Sequence, residues 1–330
     1  MKAFAVTRYG PDGLRAVDVA DPVPGAGDVL VEVRAAGINP LDKLVRNGDF
    51  KLLLPYKTPF VIGHDVSGVV TAVGGDVRGF RVGDEVFARP RDLRIGAFAE
   101  RIVMDAADVA PKPAGLSFAE AAAVPLVALT AWQALVEIAD VQPGQRVLVH
   151  AGAGGLGSTV IQFARHLGAH VVTTASGADA AKVRELGADE VVDYRSQDFA
   201  EVLSGMDVVL DSLGPESVAK SLTVARPGGV VVSVVGPPDP ALARHLGKPL
   251  LVPVMGLMSR TVRRRARRLG VRYAFLFMRA DGARLAELAR LYDTGVLRPV
   301  LDRTFGFEET LEAVAYVEQG RAKGKIVVTR

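Results

Sequence analysis

A glycine-rich turn inside residues 146–176, RVLVHAGAGGLGSTVIQFARHLGAHVVTTAS, constrains the fold of this chain more than any other feature. An apolar run over 147–151 is followed by Gly152, Gly154 and Gly157, which satisfy the pattern G-x-G-x-x-G, and then by helical spacing. In a strand–turn–helix unit these glycines make the turn, admit a pyrophosphate to the backbone and let helix and strand pack closely. The helix N-terminus adds free amides and a positive dipole end. The segment predicts a dinucleotide site; a βα turn that binds nothing is the alternative.

The residue that follows the next predicted strand bears on which dinucleotide binds. NAD-binding folds usually place Asp or Glu there, about 20 residues after the glycines, to hold the ribose hydroxyls. This chain has Ser176, whose hydroxyl accommodates a 2′-phosphate, and Lys182, Tyr194 and Arg195 follow within reach. We therefore favour NADPH. Asp179 keeps NAD open, because it would supply the acid if the strand ran three residues longer.

The alternation of elements predicts the fold class. Residues 1–115 contain short, turn-bounded strands, and residues 116–144 have helical spacing that ends at a Pro-Gly pair. Later strand candidates alternate with helical segments, which implies a parallel sheet with helices on both faces. These candidates are Val147–His150, His170–Thr174, Glu190–Val192, Asp207–Leu210 and Val230–Val235. The chain is therefore predicted to be an α/β protein with a β-rich part and a doubly wound part.

Composition sets outer limits on function. The 330 residues suffice for two domains, and 49% apolar and 23% charged residues are typical of a globular protein. A net charge of +3 does not demand a polyanionic partner, and the absence of cysteine removes disulfides, thiol nucleophiles and cysteine-ligated metals. No signal peptide and no apolar stretch of about 18 residues stand out, so we expect a cytoplasmic protein without a membrane span.

Eight motifs in order along the chain carry a family resemblance. They are GINPLDKLVRNG (37–48), PFVIGHDVSGVV (59–70), RVGDEVFA (81–88), AAVPLVALTAWQAL (122–135), HAGAGGLG (150–157), LGADEVVDYR (186–195), DVVLDSLG (207–214) and GRAKGKIVV (320–328). The chain resembles zinc-independent members of the medium-chain dehydrogenase/reductase superfamily, in the quinone oxidoreductase (zeta-crystallin-like) branch. The resemblance implies a GroES-like β-rich catalytic domain at 1–120, completed by 279–330, and a Rossmann doubly wound parallel-sheet domain at 121–278.

The resemblance also implies an activity and an assembly. It implies NADPH-dependent hydride transfer to a quinone or an α,β-unsaturated carbonyl substrate. It implies a homodimer formed through the strand that RYAFLF (272–277) resembles. No obligate nucleic-acid partner is expected.

Individual residues can be carried over by position. Asn39 would line the nicotinamide side and act in catalysis, and Thr130 would approach the same end of the cofactor. The other cofactor-binding residues implied are Gly152, Gly154, Gly155, Leu156, Gly157, Ser176, Lys182, Tyr194, Leu213, Gly214 and Lys325. Two positions depart from the family pattern: Leu44 replaces a tyrosine of some quinone reductases, and their phosphate-binding lysine aligns nearer Asp179 than Lys182.

His64 and Asp65 resemble the Gly-His-Glu ligand motif of zinc-dependent relatives. A catalytic zinc needs three protein ligands and an open position, whereas the cysteine ligands of those relatives cannot exist here. Asp42 could replace one ligand, but no third is apparent. We predict no metal site and a hydrogen-bonded, structural His64.

Without such a metal, hydride delivery to an already electrophilic conjugated system is the expected chemistry, with the cofactor carrying it and the protein orienting the substrate. The resulting enolate or quinol oxygen needs a proton. Tyr56 and Lys43, in the loop between Asn39 and His64, are the candidate donors besides water, and both also suit an ordinary surface. Tyr56 is the predicted catalytic donor.

Residues 259–272, SRTVRRRARRLGVR, are rich in arginine and follow the apolar run PLLVPVMGLM at 249–258. A solvated helix that helps to recruit anionic NADPH is one interpretation. Nucleic-acid or anionic-membrane binding is the other, and it supports an alternative function: a fold-retaining binding protein with NADPH as a structural ligand. No aromatic residue is interleaved, which argues against stacking on single strands.

Overall fold

The computed structural model describes residues 1–330 apart from the side chain of His245. The chain forms two compact units. The first comprises Met1–Leu129 and Arg279–Arg330, and the second comprises Thr130–Met278. None of the helices in the described part of the chain is both long and apolar enough to cross a membrane.

Strands and helices alternate in groups along the chain. The strands are β1 (Lys2–Val6), β2 (Leu14–Asp18), β3 (Asp28–Ile38), β4 (Phe60–Val61), β5 (Asp65–Val73), β6 (Glu85–Ala88), β7 (Arg101–Asp105), β8 (Val109–Pro111), β9 (Arg146–Val149), β10 (His170–Ala175), β11 (Glu190–Asp193), β12 (Met206–Asp211), β13 (Ala225–Ser233), β14 (Arg272–Phe275), β15 (Leu301–Gly306) and β16 (Lys325–Thr329). The helices are α1 (Pro40–Asn47), α2 (Phe118–Ala122), α3 (Pro125–Trp132), α4 (Gly155–His166), α5 (Ala180–Glu185), α6 (Phe199–Val202), α7 (Pro215–Val224), α8 (Pro240–His245), α9 (Val252–Met258), α10 (Arg260–Arg268), α11 (Gly282–Asp293) and α12 (Thr310–Glu318).

The second unit is built on one parallel sheet with the strand order β11-β10-β9-β12-β13-β14. Its central strands are continuous apolar runs such as Val147–Val149 and Val230–Val232, and these are buried. Burial of this kind requires helices on both faces. The order reverses between β9 and β12, so the carboxyl ends of these strands form the crevice where doubly wound sheets bind ligands. The predicted parallel sheet is confirmed.

The first unit is β-rich. A seven-stranded sheet has the order β15-β16-β3-β5-β6-β8, with β7 paired to β3, and a three-stranded sheet has the order β2-β1-β4. β3 alternates buried valines with more exposed residues over its first half, as a strand with one face on the core should. Val29, Val31 and Val33 thereby join Phe4 and Phe98 in one apolar core. This sheet brings the starts of β5 and β16 beside the end of β3.

Candidate functional site

The three glycines of the turn differ in what surrounds them. A Cβ built on Gly152 would lie 2.1 Å from the Thr173 hydroxyl, and one on Gly157 would lie 2.2 Å from the Ala151 carbonyl oxygen. A Cβ on Gly154 would meet only the Ala151 carbonyl oxygen, at 3.3 Å. The outer two glycines are therefore fixed by packing, whereas the middle one leaves its face open to a ligand.

The start of α4 can hold an anion. Gly154 is the residue before the helix, and its own carbonyl accepts from Ser158. The amides of Gly155, Leu156 and Gly157 lie in the first turn, where no intrahelical acceptor exists. Free amides next to an open glycine face suit a pyrophosphate, so these residues fit the dinucleotide that the sequence predicts.

The end of β10 gathers the residues predicted for the adenosine side. Ser176 is buried, and its hydroxyl donates to Asp179 Oδ2 at 2.5 Å. β10 pairs with β11, and the Tyr194 amide donates to the Ala175 carbonyl at 3.3 Å, so Tyr194 lies beside Ser176. The Arg195 guanidinium lies 6.0 Å from the exposed Tyr194 ring.

Two further features of this edge concern its charge. Lys182 lies in α5, the helix that begins directly after Asp179. The buried Asp179 carboxylate and the exposed Arg195 thus bring opposite charges to the same edge of the sheet. A negative charge facing the ribose would favour NADH, and a positive charge there would favour NADPH.

The end of β12 carries the predicted residues Leu213 and Gly214. Gly214 has φ of +123°, a conformation that favours glycine, and Leu213 is exposed. Both backbone amides donate to Asp211 Oδ1, at 3.0 and 3.4 Å. Asp211 therefore fixes the loop that carries both predicted residues.

A buried hydrogen-bond chain connects this loop to the glycine turn. Ser221 donates to Asp211 Oδ2 at 2.8 Å, so its oxygen accepts from His150 Nε2 at 3.0 Å. His150 Nδ1 then accepts from the Thr174 hydroxyl at 3.2 Å, and Thr174 itself accepts from the Ala151 amide. Burial lowers the pKa of His150 to about 4, although the charge of Asp211 opposes this shift. A neutral imidazole is the form this chain of donors requires.

In the first unit, three polar side chains meet inside the protein. Lys325 Nζ lies 2.5 Å from Asn39 Oδ1 and 3.0 Å from Asp65 Oδ2, and Asn39 Nδ2 donates to the same Asp65 oxygen at 2.9 Å. The other Asp65 oxygen accepts from the Leu126 amide at 2.7 Å. All three side chains are buried. The carboxylate and the ammonium compensate one another and hold the carboxamide in one orientation.

His64 belongs to a neighbouring pair at the start of α1. Asp42 Oδ1 bonds to His64 Nδ1 at 2.6 Å, and Asp42 Oδ2 accepts from the Asn39 amide at 2.7 Å. Asp42 therefore orients both the helix start and the imidazole. His64 Nε2 is buried and has no hydrogen-bond partner.

The structure gives the other predicted residues separate environments. Tyr56 stacks on Phe60 at 4.7 Å between ring centroids, and its oxygen accepts from the Leu93 amide at 3.0 Å. Burial raises the pKa of Tyr56 above its usual range. Thr130 is buried within α3.

Sequence reasoning missed Asp65 as the carboxylate that holds Asn39 and Lys325, and it missed the chain from His150 to Asp211. Position offers one signal, because each of these polar residues lies at one end of an apolar strand: Asp65 begins β5, His150 directly follows β9 and Asp211 ends β12. Buried polar residues at such places need specific partners.

Two family descriptions match the chain. Residues 25–114 match the alcohol dehydrogenase GroES-like domain, and residues 186–328 match the zinc-binding dehydrogenase domain. A zebrafish (Danio rerio) mitochondrial NAD(P)H oxidoreductase, RTN4IP1, is 34% identical, with 100% of this chain and 91% of the relative covered. A tomato (Solanum lycopersicum) 2-methylene-furan-3-one reductase is also 34% identical, with coverage of 99% and 79%. The solved quinone oxidoreductase from Coxiella burnetii superposes with a TM-score of 0.88 at 30% identity, covering 100% and 99% of the two chains.

One matched description mentions zinc, and the donors of this chain do not fit it. Asp42 is engaged by His64, and Asp65 by Asn39, Lys325 and a backbone amide. Among the residues that the structure describes, no three His, Asp or Glu side chains come together as metal ligands. A catalytic zinc needs three such ligands, so the residues present do not fit one.

Proposed function

This chain belongs to the medium-chain dehydrogenase/reductase superfamily, in its quinone oxidoreductase branch, and on that premise we propose that it uses NADPH to reduce an α,β-unsaturated carbonyl compound or a quinone. The observation that carries the proposal is the open face of Gly154 at the amino end of α4, an arrangement that suits a pyrophosphate. The names of the relatives support the substrate class. The tomato relative is a reductase of an exocyclic enone, and the Coxiella relative is a quinone oxidoreductase.

The reaction adds a hydride to the electron-poor carbon of the enone, or to the quinone, and a proton to the resulting enolate or quinol oxygen. An enol formed in this way then becomes the ketone by taking a solvent proton on its α carbon and releasing the proton on its oxygen. When bound, the nicotinamide supplies the hydride. The protein then has three tasks: to orient the reactants, to exclude water and to deliver or admit the proton.

We assign Asn39 to orientation. Its carboxamide is held from both sides, because Asp65 accepts from its nitrogen and Lys325 donates to its oxygen. A side chain fixed in this way loses little freedom when it positions a bound nicotinamide. We also propose Lys325 as a cofactor contact. It would act in two ways, through its own charge and by holding the Asn39 carboxamide in place.

We assign proton delivery to Tyr56. Its oxygen accepts from the Leu93 amide, which leaves the hydroxyl proton to be donated. A phenol is protonated at neutral pH at its ordinary pKa, and burial raises the pKa of Tyr56 further. Stacking on Phe60 fixes the ring.

We favour NADPH over NADH because of the geometry around Ser176. The Asp179 carboxylate already accepts from the Ser176 hydroxyl, whereas Tyr194 and Arg195 are open to a ligand. An arginine next to an aromatic ring is a good 2′-phosphate site.

Calorimetric titration with both cofactors tests this preference. The wild type should bind NADPH at least tenfold more tightly than NADH, about 1.4 kcal/mol. Arg195→Gln should lower NADPH affinity without changing NADH affinity, and Arg184→Gln, an exposed residue of α5, is the matched control. Equal or tighter NADH binding, together with loss of NADH binding in Asp179→Asn, would assign the ribose to Asp179 and refute the NADPH proposal.

The proposal extends to assembly and location. β14 ends the parallel sheet and, in the described part of the chain, pairs only with β13, so a second copy could continue the sheet there. We propose a cytoplasmic homodimer formed through this strand. Sedimentation equilibrium tests the dimer: a mass of twice that of the chain is expected, and a monomer mass at the highest concentration would exclude it.

A further inference from the structure

Helix α9 presents apolar side chains to solvent. Leu250 precedes it and is 89% exposed, and Val254, Leu257 and Met258 are exposed along the helix itself. The last three are spaced by three and four residues, so they lie on one face. The opposite side is anchored, because Met255 is buried and its carbonyl accepts from the buried Ser259 hydroxyl.

Helix α10 continues the same face with arginines. Arg260, Arg264, Arg265 and Arg268, together with Thr261, border an open space of about 430 Å³ on the surface of this helix. Within the described part of the chain, no ion pair joins these arginines to a carboxylate. Ala266 anchors the buried side of the helix.

The two halves form one stripe. Ser259 links the helices, because its amide donates to the Met255 carbonyl and its carbonyl accepts from Arg263. The exposed positions 254, 257, 258, 261, 264, 265 and 268 therefore follow one another along a nearly continuous helix. At 1.5 Å per residue the stripe is about 21 Å long, apolar at its amino end and basic at its carboxyl end.

We propose that this stripe, residues 254–268, together with the exposed Leu250 before it, docks the protein on an anionic lipid surface. The apolar end would enter the boundary between headgroups and acyl chains, about 5–10 Å deep. The arginines, further along the axis, would then lie at the level of the lipid phosphates, to which guanidinium groups bind in bidentate fashion. The binding is peripheral and goes beyond the proposed reductase activity.

Other occupants match the stripe less well. A nucleic acid would use the arginines but not the exposed leucines and methionine, and the stripe has no aromatic residue for base stacking. A second copy would have to bury arginines against a stripe that carries no carboxylate.

The test is co-sedimentation of the full chain with two kinds of vesicle. One kind contains phosphatidylcholine alone, and in the other about 30% of the lipid is phosphatidylserine. We expect binding to the anionic vesicles only, and weaker binding as salt rises. Changing Arg264, Arg265 and Arg268 to Gln should lower the affinity roughly 100-fold. Leu257→Asn with Met258→Asn should lower it at least tenfold while leaving most of the salt dependence.

Matched controls distinguish binding through this stripe from a general effect of positive charge and from an effect on catalysis. Arg8, Arg15 and Arg321 are exposed arginines elsewhere, and changing all three to Gln should leave vesicle binding nearly unchanged. NADPH binding and turnover should persist in the stripe variants. No binding to anionic vesicles, equal loss with the control triple, binding of an RNA oligomer in place of vesicles, or a change of oligomeric state alone would each overturn the proposal.

Discussion

Alanine substitutions at Gly154 and Gly157 should separate cofactor binding from folding. In Gly157→Ala the new Cβ would lie 2.2 Å from the Ala151 carbonyl oxygen, against the 3.4 Å of ordinary contact, so backbone must move by 3.4 − 2.2 = 1.2 Å. Overpacking of this kind costs about 1–3 kcal/mol, and the upper end is expected because the obstacle is backbone.

Gly154→Ala should behave differently. Its backbone, at φ −77° and ψ 171°, is accessible to alanine, and the Cβ meets one atom at 3.3 Å. The lower entropy of the unfolded chain offsets the weaker helix cap, so stability should change by less than about 1 kcal/mol. The methyl group would nevertheless stand where the pyrophosphate approaches, and NADPH affinity should fall about 10- to 100-fold, or 1.4–2.8 kcal/mol.

Urea unfolding, followed by the fluorescence of the single tryptophan, Trp132, gives the stabilities, and calorimetry gives the NADPH affinities. Gly75→Ala is the control, because no atom lies within 4 Å of its Cβ position. If Gly154→Ala bound NADPH as tightly as the wild type, the assignment of this face to the pyrophosphate would be refuted.

Three further predictions concern the polar networks and the proton. The pKa of His150 is about 4 in the fold against 6.5 when exposed, so the unfolded chain binds the extra proton first as pH falls from 7 to 4. The unfolding free energy should therefore drop by up to about 3 kcal/mol over this pH range. In urea titrations, His150→Gln should remove this pH-dependent loss of stability. Lys325→Met should cost about 3–5 kcal/mol because it leaves the buried Asp65 carboxylate without its ammonium, and adding Asp65→Asn should restore part of the loss in the same assay. Tyr56→Phe should lower kcat by about 100-fold or more with KM unchanged, and an unchanged kcat in steady-state assays would exclude Tyr56 as the donor.

Local patterns were enough to predict the parallel sheet and the glycine turn. Each predicted strand of the second unit overlaps an observed strand, because continuous apolar runs and helical spacing are properties of neighbouring residues; His150 and residues 234–235 lie beyond the observed ends. The glycine turn could be predicted for the same reason, because Gly152, Gly154 and Gly157 are near neighbours in the sequence. Their different packing became visible only in three dimensions.

The polar networks could not be predicted in this way. Asn39 and Lys325 are 286 positions apart, and they meet because β3 lies between β16 and β5. In the sequence Asp65 resembles a metal ligand, because nothing there indicates that Lys325 and Asn39 surround it. The hydrogen bond from Ser176 to Asp179 likewise depends on a tight turn after β10.

The central claim is hydride transfer from NADPH to a conjugated acceptor, and isotope transfer tests it most directly. The enzyme would be incubated with an enone and NADPH deuterated at the transferable position, and the product would be examined by mass spectrometry and NMR. The account predicts one deuterium on the carbon β to the carbonyl and one solvent proton on the α carbon. Turnover without deuterium on the β carbon, or no turnover with either enones or quinones, would contradict it.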